Sequence, residues 1–210
     1  MPLKHIKDSI DFFYKHKKDR NSDLLFQNLT KCIHDKKTKA LEDEKSQALF
    51  LIGKAIPTIA RGIILFSKTK GFAQTVKSFI EQSTSQSAYG HLFEIEVAIQ
   101  IEEQKDKTGE CVQAFNQLYA NPKTGTKKRA RKREFDLVTN KRLIECKSGD
   151  PSKGHRKQFK AQKQIASQLA QQVSAFSDCT YHILMRKNPS TELAKWLDQQ
   201  NIMHSSMGEV

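Results

Sequence analysis

The chain has 210 residues, of which 37% are hydrophobic, 28% charged and 8% aromatic, with 36 Lys and Arg against 23 Asp and Glu for a net charge of +13. It is too polar for an integral membrane protein, too rich in Phe, Leu and Ile for a disordered chain, and long enough for one ordinary domain or a compact domain with an appendage. So large a surplus of one charge opposes compaction and directs attention to an anionic partner.

Residues 1–80 are predicted to form a helical region. Ile6, Ile10, Phe13 and Tyr14 recur at helical spacing, as do Leu24, Leu25, Leu29 and Ile33 after the capping sequence Asn21-Ser22-Asp23. The most apolar stretch, residues 48–66, carries Lys54, Pro57 and Arg61. These interruptions make it a poor membrane span, so no stable membrane insertion is expected, and two core helices broken near Pro57 are predicted instead. A membrane-active hairpin is the rival reading of the same stretch.

From residue 81 the pattern becomes that of a mixed α/β domain. A helix is predicted over about 88–104, ended by Thr108-Gly109, then a strand over 110–121 and a turn at Asn121-Pro122-Lys123-Thr124-Gly125. Two short strands follow at about 132–139 and 142–148. A Gln- and Lys-rich helix over about 157–175, a strand over 179–185 and a helix capped at Ser190 or Thr191 complete the order α-β-β-β-α-β-α. The fold class is therefore α/β (α+β), with helices on a mixed central sheet.

The cysteines Cys32, Cys111, Cys146 and Cys179 show no CxxC or CxxxH spacing, which argues against a zinc cluster. Thiols in apolar segments suit a reducing, cytoplasmic compartment, and delivery into another cell or a nucleus is compatible with that. The segment MPLKHIKDSIDFFYKHKKDR lacks the continuous apolar run of a secretory signal. No GxxxxGK[ST] loop or nucleophile triad is present.

The stretch REFDLVTNKRLIECK (133–147) carries the chemistry. On a strand, Glu145 and Lys147 share one face and Ile144 and Cys146 the other. A two-residue loop at Asn140-Lys141 pairs 138 with 143 and 137 with 144, which sets Leu137 on Ile144 and Asp136 opposite Glu145. Carboxylates facing each other across a ladder repel, and a divalent cation removes the repulsion; Mg²⁺ suits a few carboxylates plus water. Lys147, two residues on, is placed to orient an attacking water or to stabilise a phosphorane-like transition state.

This arrangement resembles the PD-(D/E)xK nuclease superfamily, whose restriction-endonuclease-like core runs αβββαβ. The resemblance covers residues 88–186, with Glu94 on the first helix, Asp136 on the second strand and Glu145-Cys146-Lys147 on the third. It implies a hydrolase whose catalytic residues are Glu94, Asp136, Glu145 and Lys147. Asp136 and Glu145 would hold Mg²⁺ or Mn²⁺, with Glu94 completing the shell; Glu94 is preferred to Glu96 because it shares a helix face with Val97, Ala98 and Ile101. The sequence departs from the family in having Phe, not Pro, before Asp136. The family often adds a polar residue on the helix after the third strand, a place for Gln164 or Lys160.

Residues 123–163 hold 15 basic and 4 acidic side chains, so most of the chain's surplus charge flanks this motif. Lys127, Lys128, Arg129, Arg131, Lys132 and Arg133 precede the Asp136 strand; Lys153, His155, Arg156, Lys157 and Lys160 follow the Glu145 strand. Phosphate contact with nucleic acid is the expected role, and a nuclear localisation signal or an anionic-lipid tether is the rival for the first cluster. With the family resemblance, the expectation is an endonuclease acting on DNA in preference to RNA, in the setting of a toxin, effector, restriction or repair enzyme. A toxin would have an acidic immunity or inhibitor protein as partner. Cleavage of tRNA, and non-catalytic binding on a degenerate scaffold, are the alternatives.

Overall fold

The computed structural model describes residues 27, 31, 42–82, 86–120, 132–149, 151 and 154–207. The helices expected before residue 40, the turn at 121–125 and the basic residues Lys127, Lys128, Arg129, Arg131 and Lys153 lie outside the described residues. The chain forms two compact units, Met1–Ile99 and Gln100–Val210.

In the first unit, helix α1 (Glu42–Phe66) is continuous and contains Pro57, so the expected break is not there. A proline inside a helix removes one hydrogen bond and costs about 3 kcal/mol. Here Pro57 is exposed while Ala55, Ile56, Ile59, Ala60, Ile63 and Phe66 are all buried, and burial of that stripe outweighs the missing bond. Among the described residues no helix is long and apolar enough to cross a membrane. Gly71, in the left-handed conformation (φ 84), turns the chain into α2 (Phe72–Glu81), whose buried Phe72, Thr75, Val76, Phe79 and Ile80 repeat at helical spacing. Gly62 admits close packing: a Cβ there would lie 2.9 Å from Ile95 Cγ2 and 3.1 Å from the Phe72 ring. Helix α3 (Gln86–Glu103) contains the division between the units and is buried on most of its circumference over 92–101.

The second unit continues with a single turn of helix, α4 (Lys105–Thr108), and then β1 (Val112–Ala120), β2 (Lys132–Thr139) and β3 (Arg142–Lys147). Helix α5 (His155–Gln172), β4 (Thr180–Met185), α6 (Thr191–Gln199) and β5 (Met203–Ser206) complete it. The sheet order is β1-β2-β3-β4-β5; the first two pairings are antiparallel and the last two parallel. The connections explain this: a two-residue turn can only reverse the chain between β2 and β3, whereas the α5 and α6 crossovers return it parallel. Ser190 caps α6, its hydroxyl accepting from Leu193 N–H at 3.3 Å. The mixed sheet and helix order agree with expectation, but β5 was not anticipated; its sequence MHSS has no apolar alternation. One core joins Phe159, Ile165 and Leu169 of α5 to Phe135, Leu143, Tyr181 and Ile183 on the sheet and Leu193 and Leu197 of α6.

A polar lock holds the hairpin end of the sheet. Buried Glu110 accepts Arg142 Nε and Nη2 at 2.8 Å each and the Thr139 hydroxyl at 2.6 Å. Asn140 donates to Gly109 O at 2.9 Å and accepts Cys111 N–H at 2.9 Å, tying the turn to the start of β1. Nearby His182 is buried, its Nε2 3.0 Å from Ser205 Oγ and its Nδ1 without a hydrogen-bond partner. Burial, and then the Arg142 charge, lower its pKa to about 4. The folded chain therefore refuses a proton that the unfolded chain accepts below pH about 6.5. Stability should fall as the pH drops from about 6.5 towards 4, by up to about 3 kcal/mol. Urea unfolding at pH 7, 6, 5 and 4 checks this: His182→Gln should flatten the loss, and an unchanged slope would refute it.

Candidate functional site

The site is built where β2 and β3 part. The ladder pairs Leu137 with Ile144 and Val138 with Leu143, the register that the Asn140-Lys141 turn demands. The expected direct pair of Asp136 with Glu145 is not part of this ladder. Asp136 instead turns Oδ2 onto the backbone, accepting the Cys146 N–H at 2.7 Å. A buried N–H needs an acceptor, and the carboxylate takes the place of a strand carbonyl. Register on the other side places Asn116 across from Asp136, and Asn116 has φ 50, a left-handed residue within β1.

Glu145 is 3% exposed, and both its oxygens are engaged. Oε1 accepts Lys147 Nζ at 2.5 Å and Gln158 Nε2 at 2.8 Å; Oε2 accepts Gln162 Nε2 at 2.5 Å. Burial works against the Lys147 ammonium, but the charge and hydrogen bond of Glu145, with the charge of Asp136, outweigh it and raise the lysine pKa. Lys147 thus stays charged and feels both carboxylates. Its Nζ also lies 5.9 Å from the Phe159 ring centroid.

The polar residues that α5 contributes are Gln158 and Gln162. Of the two expected there, Gln164 is exposed and Lys160 lies with its Nζ 5.6 Å from the Trp196 ring. A residue two positions from Gln162 points roughly 200° around the helix, which is why Gln164 misses the sheet. The signal was present in the sequence: Gln162 falls in the stripe Phe159, Gln162, Ala166, Leu169, a polar residue at a core position.

Glu94 belongs to the first unit, buried on α3 with His91 Nδ1 3.3 Å from its Oε1. Among the described residues no group of three or more His, Cys, Asp or Glu side chains is arranged to hold a metal ion. The structure brings Glu145 and Lys147 into contact, with Asp136 on the adjoining strand.

Of the basic residues, Lys132 opens β2 and Arg133 is half-buried beside it. The His155 ring stacks on Phe159 at 6.0 Å, and Lys157 is exposed. Arg156 bonds Glu192 at 2.9 Å and lies 5.2 Å from the Trp196 ring centroid, so α6 draws both Arg156 and Lys160 to its side. No family model, curated protein or solved structure matches the chain.

Proposed function

We propose that residues 81–210 are a metal-dependent phosphodiesterase on a restriction-endonuclease-like αβββαβ core, cleaving nucleic acid with DNA favoured over RNA. The observation that carries the reading is the Lys147 ammonium held on buried Glu145 with Asp136 on the next strand. The order α3-β1-β2-β3-α5-β4 and the positions of Asp136 and the Glu-x-Lys pair accord with that family's pattern.

The donor chemistry fits Mg²⁺ or Mn²⁺. Asp136 and Glu145 offer hard carboxylate oxygens, and Glu145 already holds one cation, the half-buried Lys147 ammonium, at 2.5 Å. These two would hold the ion, and Glu94 enters only through the family resemblance. The ion, when bound, neutralises charge on a phosphoryl oxygen and makes water more acidic. Lys147 then donates hydrogen bonds to the attacking water or to the phosphoryl oxygens, where negative charge grows as the bond to phosphorus forms. Gln158 and Gln162 keep the Glu145 carboxylate in place, and basic side chains of residues 123–163 hold the backbone phosphates. An acidic inhibitor or immunity protein suits a chain of charge +13.

A second reading is non-catalytic nucleic-acid binding, for which the 15 basic side chains of residues 123–163 suffice. Supercoiled plasmid, linear single-stranded DNA and tRNA, each incubated with Mg²⁺, Mn²⁺ or EDTA, separate the two. Cleavage is expected with either metal, none with EDTA, and none by Glu145→Ala. Intact substrates throughout, or equal cleavage by wild type and Glu145→Ala, would sink the catalytic reading.

A further inference from the structure

Gln162 is 1% exposed and every polar atom of its side chain is used. Its Nε2 donates to Glu145 Oε2 at 2.5 Å and to Glu134 O at 2.7 Å, while its Oε1 accepts the Tyr181 hydroxyl at 2.9 Å. One side chain of α5 thereby joins the backbone of β2, the carboxylate of β3 and a hydroxyl of β4. The reversed amide would set its oxygen against two acceptors, so only one orientation satisfies the site.

We infer that Tyr181 and Gln162 are a positioning pair that makes the two oxygens of Glu145 inequivalent, anchoring Oε2 in the interior and presenting Oε1 to a cation. In this structure that cation is the ammonium of Lys147. The inference rests on the proposed metal role of Glu145, although the hydrogen-bond relay itself does not. Tyr181 is suited to the task. It is 7% exposed, and its ring meets Phe135 nearly edge-on at 5.9 Å, which fixes where the hydroxyl lies. Burial, reinforced by the charges of Glu145 and Asp136, raises its pKa well above the ordinary tyrosine range, so it remains a donor at neutral pH. A donor on Oε1 of an amide also strengthens that amide's own N–H bonds, here the ones to Glu145 and Glu134. With Oε2 pinned, rotation of the carboxylate is blocked and Oε1 stays turned to Lys147 and Gln158.

Groups that orient a metal ligand typically change affinity about 10–100-fold when removed. Calorimetric titration of the full chain with Mg²⁺ and with Mn²⁺ should show Tyr181→Phe weaker by about tenfold and Gln162→Met by at least as much. Adding Tyr181→Phe to Gln162→Met should change affinity less than about twofold, because the relay is already cut. Two independent losses that add would mean that Tyr181 acts only as core, and would overturn the inference. The side-chain amide of Gln162, followed by NMR without metal, reads the relay directly. It should be protected from exchange in the wild type and in Lys147→Met, and lose protection in Tyr181→Phe. An unprotected wild-type amide, or one unchanged by Tyr181→Phe, would refute the positioning role. A wild type that binds neither metal would defeat the proposed function while the amide signal still decides on the relay.

Discussion

Lys147→Met should lower metal-dependent cleavage by about 10²–10³-fold, the usual loss when one preorganised donor to a developing charge is removed. Methionine keeps an unbranched apolar stem beside Phe159 and removes only the ammonium. The change separates chemistry from binding, because one cation among the many of residues 123–163 contributes little to phosphate affinity. Binding of a fluorescent duplex in EDTA should stay within about threefold of wild type, with the salt dependence lowered by at most about one charge. Glu145 keeps its bonds from Gln158 and Gln162 but loses its counter-charge, so stability should fall by about 1.5–3 kcal/mol, the range for a hydrogen bond to a charged group. Lys147→Arg retains the charge in a planar fork that cannot repeat the single contact to Oε1, and should recover only part of the rate. A Lys147→Met protein cleaving at more than a tenth of the wild-type rate would remove this residue from the mechanism.

Glu110→Ala should destabilise the second unit by about 3–5 kcal/mol. It strips the Arg142 guanidinium, whose side chain is only 16% exposed, of both its bonds to carboxylate and strips Thr139 of an acceptor. A desolvated cation is left without compensation at the point where β1, β2 and β3 are tied together. The chain has one tryptophan, Trp196, and it lies in this unit, so its fluorescence follows the unit's unfolding in urea. The midpoint should fall with little change in slope. Glu110→Leu combined with Arg142→Met removes both charges and should recover most of the loss, since a well-packed apolar pair can replace a buried ion pair. A loss below about 1 kcal/mol for Glu110→Ala would place the lock among surface ion pairs.

Much of the second unit was legible because its information is local. Alternation puts Glu145 and Lys147 on one face, and the length of the Asn140-Lys141 turn sets Leu137 on Ile144, as observed. Ser190 announces its helix by the ordinary chemistry of an N-cap. Other features were not legible, each for a physical reason. Propensity reads Pro57 as a breaker, yet the buried stripe from Ala55 to Phe66 repays the lost bond. The short polar strand β5 has no pattern of its own, and parallel pairing with β4 creates it. On α5 the expectation fell on Gln164 or Lys160, whereas packing on the sheet turns Gln158 and Gln162 to Glu145.

By itself, the sequence determined the order of elements from α3 to α6, the hairpin register and the concentration of positive charge around one acidic pair, because periodicity, turn length and composition act over a few residues. Tertiary structure alone decided which polar groups meet. Asp136 takes a backbone N–H of β3, Gln162 bridges Glu145 to Tyr181, and Glu110 reaches Arg142 thirty-two positions away. Those partnerships follow from burial: a desolvated charge or amide must find whatever complementary group the packed chain brings within about 3 Å, and sequence distance has no bearing on that search.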